Sequence, residues 1–202
     1  MINVFDKLDG KSLPAGFQWL NEPSSWVFRQ GVLEVWAEGK TDFFRDPAGP
    51  APQHNAHFFY TKRDGDFTFA TFVQVDMQAD FDAGCLLVMV DEENWAKLCL
   101  ENCYEKPMLV SVVTAGVSDD TISAEVPKEG VHLRITRFGD CFAFHYSLDG
   151  EWWQLIRYFR LQAARPIKVG PAAQAPTGEG CQVSFRHLSV SPKPVRDIRS
   201  GK

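Results

Sequence analysis

The chain has no stretch approaching the roughly 18 consecutive apolar residues of a membrane span. Its first ten residues, Met1 to Gly10, do not place a charged segment before an apolar run, so no secretory leader is expected. No Asn-x-Ser/Thr sequon occurs. The five cysteines (Cys85, Cys99, Cys103, Cys141 and Cys181) are odd in number and contain no Cys-x-x-Cys. These features point to free thiols in a reducing cytoplasm. Charge of either sign is scarce in excess: the net value is -5 over 202 residues. A mildly acidic chain repels phosphate backbones, so nucleic acid is set aside as a partner, and the lack of a spanning apolar run sets a membrane aside. The one basic stretch, Lys193 to Lys202, holds four cations against one acid and reads as a short, flexible, solvated tail.

Chemical motifs are also missing. Gly178-Glu179-Gly180 has no helix after it and cannot serve as a phosphate loop. His54 and His57, like Cys99 and Cys103, are three residues apart, but no further ligands complete a metal set. No cofactor or metal is therefore expected. The Glu-x-Asp-x-x-Glu pattern that sets two carboxylates on one strand face is absent, which weighs against an ordinary two-carboxylate glycosidase.

No segment carries a long apolar stripe of helical period. Aromatics make up 13% of the chain, with 16 Phe and 6 Trp, and the dominant period is two. Strands are expected at residues 66–76, 84–90, 95–101, 108–114, 131–137, 141–147, 152–158, 169–175 and 183–190, with two short ones between Trp26 and Ala37. Gly84 to Val90 (GCLLVMV) is almost continuously apolar and predicts a strand covered on both faces. Residues 160–165 are read as a short helix or turn. Ten to twelve strands with turns every 8–12 residues, no linker and no repeat make one all-β sandwich over residues 1–192. The long loop Asp42 to Asn55, rich in Pro and Gly, is the natural place for binding residues.

Alternation divides the strands into faces. Ala96, Leu98 and Leu100 should enter the core, leaving Trp95, Lys97, Cys99 and Glu101 on the opposite side. Likewise Val131, Leu133 and Ile135 point in while His132, Arg134 and Thr136 point out. In 141–147, Phe142, Phe144 and Tyr146 point in. The simplest reading of such a polar face is a solvated sheet surface. The functional reading is a saccharide surface, on which charged side chains bind hydroxyls and a flat aromatic covers C–H faces.

Several segments in order carry a family likeness: Phe43-Phe44-Arg45-Asp46-Pro47, His57-Phe58-Phe59-Tyr60, Gly65-Asp66-Phe67, Phe81-Asp82-Ala83-Gly84 and the hairpin Asp91 to Lys97. Glu101, Ser111 to Thr114, Ser118-Asp119, Arg134, Tyr146 to Gly150 and Val169-Gly170-Pro171 continue it. Over residues 5–190 the chain resembles the domain-of-unknown-function family related to the yeast "regulation of enolase" protein. The resemblance implies a two-sheet jelly-roll sandwich of concanavalin A-like (lectin/glucanase) type with a concave face. It implies polar site positions at Arg45, Asp46, His57, Asp82, Lys97, Glu101, Asp119 and Arg134. One departure is Asp120, where the family's Ser-Asp-Trp run carries Trp. Another is the run Pro171 to Pro176, which has no Cys.

The expectation is a cytoplasmic binding module that holds a carbohydrate or small polar metabolite through Arg45, Asp82, Trp95, Lys97, Glu101, Asp119 and Arg134. Glu101 would accept hydroxyl hydrogen bonds, and Lys97 and Arg134 would donate. The alternatives are a saccharide hydrolase or lyase using Glu101 with a second carboxylate, Asp119 or Asp82, and a protein-interaction module linked to metabolism. Edge strands leave a homodimer open.

Overall fold

A computed structural model describes all residues except Met1, Pro50, 163–165 and Lys202. In chain order the strands are β1 (Ile2–Asn3), β2 (Phe17–Leu20), β3 (Trp26–Arg29), β4 (Val32–Glu38), β5 (Phe43–Phe44), β6 (Gln53–His54), β7 (His57–Arg63), β8 (Phe67–Asp76) and β9 (Ala83–Met89). They continue as β10 (Asn94–Cys103), β11 (Lys106–Ala115), β12 (Val117–Glu125), β13 (Val131–Phe138), β14 (Cys141–Ser147), β15 (Gln154–Arg160), β16 (Ile167–Gln174) and β17 (Gly180–Ser191). No helix occurs among the described residues. The expected turn at 160–165 is divided: Arg160 ends β15, and 163–165 lie outside the described residues.

Two antiparallel sheets stack face to face. One runs β15-β14-β13-β8-β17-β4-β3, with β1 beside the far end of β17; the other runs β12-β11-β10-β9-β16-β7-β2. The main core lies between them. Phe69, Leu133, Ile135, Phe144, Val183 and Phe185 come from the first sheet and Phe59, Leu86, Val88, Leu98 and Leu100 from the second. The expected inward sets of 95–101, 131–137 and 141–147 all face this core, Tyr146 only partly buried. Period-2 alternation decides this, because one apolar side per strand is enough to form the sandwich interior.

The second sheet also has a hydrophobic layer on its outer face. Phe43, Phe58, Tyr60, Cys85, Leu87, Trp95, Cys99, Val110 and Val112 cluster there under the β5–β6 segment. This explains why every residue of β9 is buried, as its composition predicted. Pro171 lies in the centre of this sheet, between β7 and β9. The β16–β7 ladder pairs Val169 with Thr61 and Ala172 with Phe58, skipping Gly170 and Pro171. A β-carbon on Gly170 would stand 2.1 Å from the Phe59 carbonyl oxygen, so only glycine fits beside a proline that donates no hydrogen bond.

The basic C-terminal stretch is not a free tail. It crosses the outer face of the first sheet. Thr68 Oγ1 donates to the Lys193 carbonyl (2.8 Å), and Thr136 Oγ1 accepts from Val195 N–H (3.0 Å). His145 Nε2 donates to the Ile198 carbonyl (2.7 Å), and Arg134 Nη2 to that of Gly201 (2.8 Å). Outward polar residues on β8, β13 and β14 provide these hydrogen-bonding groups, and the strap buries them.

Candidate functional site

The outer face of the second sheet is ordered by its register into cross-strand rows. Asp120, Val112, Lys97 and Leu87 form one row, and Ile122, Val110, Cys99 and Cys85 the next. A third holds Met108, Glu101, Ala83 and Gln174. The pleat therefore brings a carboxylate, an ammonium, a second carboxylate and an amide to one side of five adjacent strands. The segment after Thr41 folds over this face. It closes a cavity of about 280 Å³, lined among others by Asp42, Phe44, Phe81, Cys103, Asp120 and Pro176.

Lys97 sits on the cavity floor, only 2% exposed. Its Nζ donates to Asp42 Oδ1 (2.9 Å) and Gln174 Oε1 (2.8 Å). Burial pulls an ammonium down, but the Asp42 carboxylate, with smaller help from the Cys99, Cys85 and Glu101 side chains, outweighs it and holds Lys97 above its ordinary value. Lys97 is thus a charged fixture of the floor that ties the covering loop to the sheet.

Glu101 is different. Among the described residues its one hydrogen-bond donor is the Cys103 thiol, at 3.5 Å. Burial raises its carboxyl to about 7, with Lys97 lowering it and Asp42 raising it. Cys103 is itself pushed up to about 12 by burial and by Glu101, so the thiol stays protonated and donates. Near neutral pH Glu101 therefore exists in both protonation states, able to accept a hydrogen bond or donate one.

The walls are aromatic and aliphatic: Phe44, Phe81, Val110, Val112 and Ile122. Phe81 is held with φ 71°, a conformation costly for a bulky side chain. Its N–H donates to the Asn102 carbonyl (2.7 Å), and its ring meets the exposed Tyr104 edge-on at 5.8 Å. The next residue, Asp82, explains how this is maintained. Its fully buried carboxylate accepts from the N–H groups of Gln78 and Ala79 at 2.9 Å each and fixes the turn that presents Phe81.

Of the residues expected at the site, Lys97 and Glu101 meet in the cavity and the others do not. Trp95 shares their face but is fully buried beneath Phe43, ring centroids 6.1 Å apart, and offers no exposed platform. Asp82 shapes the turn behind Phe81. Arg45 braces the covering loop against the β11–β12 turn. It donates from Nε to the Gly116 carbonyl (2.6 Å) and pairs with Glu93 (3.1 Å), and its Nη1 lies 3.3 Å from the His54 ring. Asp119 points away and pairs with Arg157 (2.7 Å), joining the edge strands of the two sheets. Arg134 lies on the opposite side of the sandwich. It stacks on Trp153 with its guanidinium 4.2 Å from the ring centroid, under the C-terminal strap. The common polar face expected for Lys97 and Arg134 is therefore two faces, one on each sheet.

Asp42, Phe44, Phe81, Cys103, Asp120 and Gln174 enter the site without having been singled out for it. Signals existed for four of them. Asp42 and Phe44 lie in or beside the long Pro/Gly-rich loop, Phe81 precedes Asp82 in a family segment, and Asp120 is the noted departure from Trp. Asp120 is the third carboxylate at the cavity, after Asp42 and Glu101.

Comparison with known proteins matches residues 19–193 to one family model, described as "Protein of unknown function (DUF1349)". "Regulation of enolase protein 1" of Saccharomyces cerevisiae is 28% identical over 174 residues, 86% of this chain and 88% of the yeast protein. A functionally unknown Saccharomyces cerevisiae protein of known structure superposes with TM-score 0.83 at 27% identity, over 88% of this chain and 96% of its own. Xylan beta-1,4-xylosidase from Bacillus halodurans C-125 superposes with TM-score 0.73 at 17% identity. It covers 93% of this chain, which corresponds to 38% of the larger enzyme, and shows a shared fold alone.

Proposed function

Because this chain belongs to the DUF1349 family, whose function is unknown, the reading has to come from its own cavity: we propose that it is a binding module for one small, uncharged, hydroxyl-rich molecule, such as a saccharide unit. The observation that carries this is the pairing of Glu101 with Phe44 and Phe81. A buried carboxyl with a single weak protein donor faces a space flanked by two aromatic rings. Ring faces suit the C–H surface of a sugar, and the carboxyl suits its hydroxyls. The volume lies near the lower end of small-molecule sites and fits one compact ligand. Asp42 balances Lys97, so Glu101 and Asp120 leave the cavity without a spare positive charge, and an acidic sugar is disfavoured.

The fold likeness to part of a xylosidase makes xylose and xylobiose the first ligands to try, with glucose beside them. Calorimetry should find a ligand among these, and Glu101→Ala should weaken it about tenfold or more, as losing a hydrogen bond to a charged group does. Unchanged affinity in that variant would remove Glu101 from the site.

A second reading, saccharide hydrolysis, is favoured by one observation. Asp42 and Asp120 share the cavity with a Glu101 raised to about 7, the condition of a general acid. Release of reducing sugar from xylo-oligosaccharides, lost in both Glu101→Gln and Asp120→Asn, would establish it. Binding without turnover would leave the module reading alone.

A further inference from the structure

The outer face of the first sheet carries a second feature, independent of the cavity. The C-terminal strap crosses β14, β13 and the start of β8, and a hollow of about 990 Å³ lies over the Gln74–Asp76 end of β8 with β17 and β4, walled also by Asn102, Glu105, Pro107, Lys128 and Glu129. A neighbouring hollow of about 700 Å³ shares Val32 and Glu34 with it and runs on to Lys7 and Arg29. Together they form one long trough across the sheet.

Its floor is again set by register, with β17 in the middle. Gln182 lies between Trp36 and Asp76, Ser184 between Glu34 and Gln74, and Arg186 between Val32 and Phe72. Trp36 and Phe72 thus flank this polar floor at opposite corners, beside the residues that line the hollows. Trp36 rests on the backbone of Gly180, where φ is 140° and a β-carbon would meet the indole at 2.7 Å. The indole is held against the sheet and remains 39% exposed. Arg186 is fixed over the Phe72 ring at 5.2 Å and donates to Gln74 Oε1.

We propose that this trough binds an uncharged polysaccharide chain. Three observations narrow the occupant. Cations and carboxylates along the trough nearly balance, four against five, and Arg29 and Glu34 already pair at 3.0 Å, so no net field draws a polyanion or polycation. The lining is rich in amides and carboxylates, which bind hydroxyls and would be left unpaired under an apolar helix. The backbone groups of β8, β17 and β4 are engaged in ladders on both sides of β17, so an extended peptide finds no free edge to pair with. A hydroxyl-bearing chain needs neither charge nor an edge. It needs side-chain hydrogen bonds and a flat ring; the amides and carboxylates of the lining supply the first, and the part-exposed Trp36 indole beside Gln182 the second.

Affinity electrophoresis of the full chain through gels containing hydroxyethylcellulose, galactomannan or arabinoxylan tests this, with polygalacturonate as the charged control. At least one neutral polymer should retard the protein. Trp36→Ala should weaken that retention about tenfold, and Arg186→Gln should weaken it too. Trp36 is part-exposed, so its variant should stay folded with a cooperative thermal transition above the assay temperature, and it should keep the calorimetric affinity for any small ligand of the cavity. Failure of every neutral polymer, retention unaffected by both substitutions, or stronger retention by polygalacturonate would each overturn the proposal. A cavity ligand found without trough binding, or the reverse, separates the two readings.

Discussion

Lys97 carries its charge where almost no water reaches it, and it does so because Asp42 and Gln174 occupy two of its three donor positions. Removing one member of such a set leaves the other buried and uncompensated, which usually costs more than the pair itself contributes. Lys97→Met should therefore destabilise the protein by about 3–5 kcal/mol. Adding Asp42→Asn to it should recover a substantial part, because the stranded carboxylate is gone. Urea denaturation of both variants checks this, and additive losses would show that the two residues do not act together. None of this pairing could be read from residue 97 alone. Its parity placed it off the core, but whether that side was wet depended on a loop 55 positions earlier in the chain.

At the scale of elements, two segments without long regular structure determine which outer faces are covered. The β5–β6 segment roofs the second sheet, and residues 193–201 strap the first. The strap's four hydrogen bonds from Thr68, Thr136, His145 and Arg134 are made by residues whose alternation marks them as outward. Deleting residues 193–202 should lower stability by about 2–4 kcal/mol, at roughly 1 kcal/mol for each bond, and should expose the Trp153 indole, which tryptophan fluorescence would report. An unchanged unfolding midpoint would mean the strap adds nothing. The sequence showed β9 covered on both faces, because seven apolar residues in a row leave no polar side. It did not show β7 fully or β12, where exposed, mixed residues such as Asp119, Asp120 and Thr121 carry little period-2 signal.

For the whole molecule, two buried groups on opposite sheets give opposing responses to pH. Glu101 titrates near 4.5 when unfolded and near 7 when folded, so between those values the folded state holds the extra proton and stability falls as pH rises. His145, buried beneath the strap, is lowered to about 4 from 6.5, first by burial and also by Arg134. Between those values the unfolded state holds the extra proton, and stability falls as pH drops. Asp82, raised by burial, acts in the first direction, and His132, lowered by burial, in the second. The two effects, each on the order of 3 kcal/mol, should largely cancel between about pH 4.5 and 6.5. Glu101→Gln should gain on the parent as pH rises from 4.5 to 7.5, and His145→Asn should gain as pH falls from 6.5 to 4.5. Urea midpoints across that range check both, and pH-independent differences would refute them. The sequence by itself determined the all-β class, the inward set of each strand it recognised and the family segments, since these depend on neighbours two positions apart or on local motifs. Tertiary structure alone decided that Lys97 and Arg134 lie on opposite sides, that Asp42, Phe81, Asp120 and Gln174 converge on Glu101, and that the basic C-terminus is a strap. Period-2 alternation tells which side of its own sheet a residue occupies, but sheet membership and the segment covering each face are settled by contacts between residues far apart in the chain.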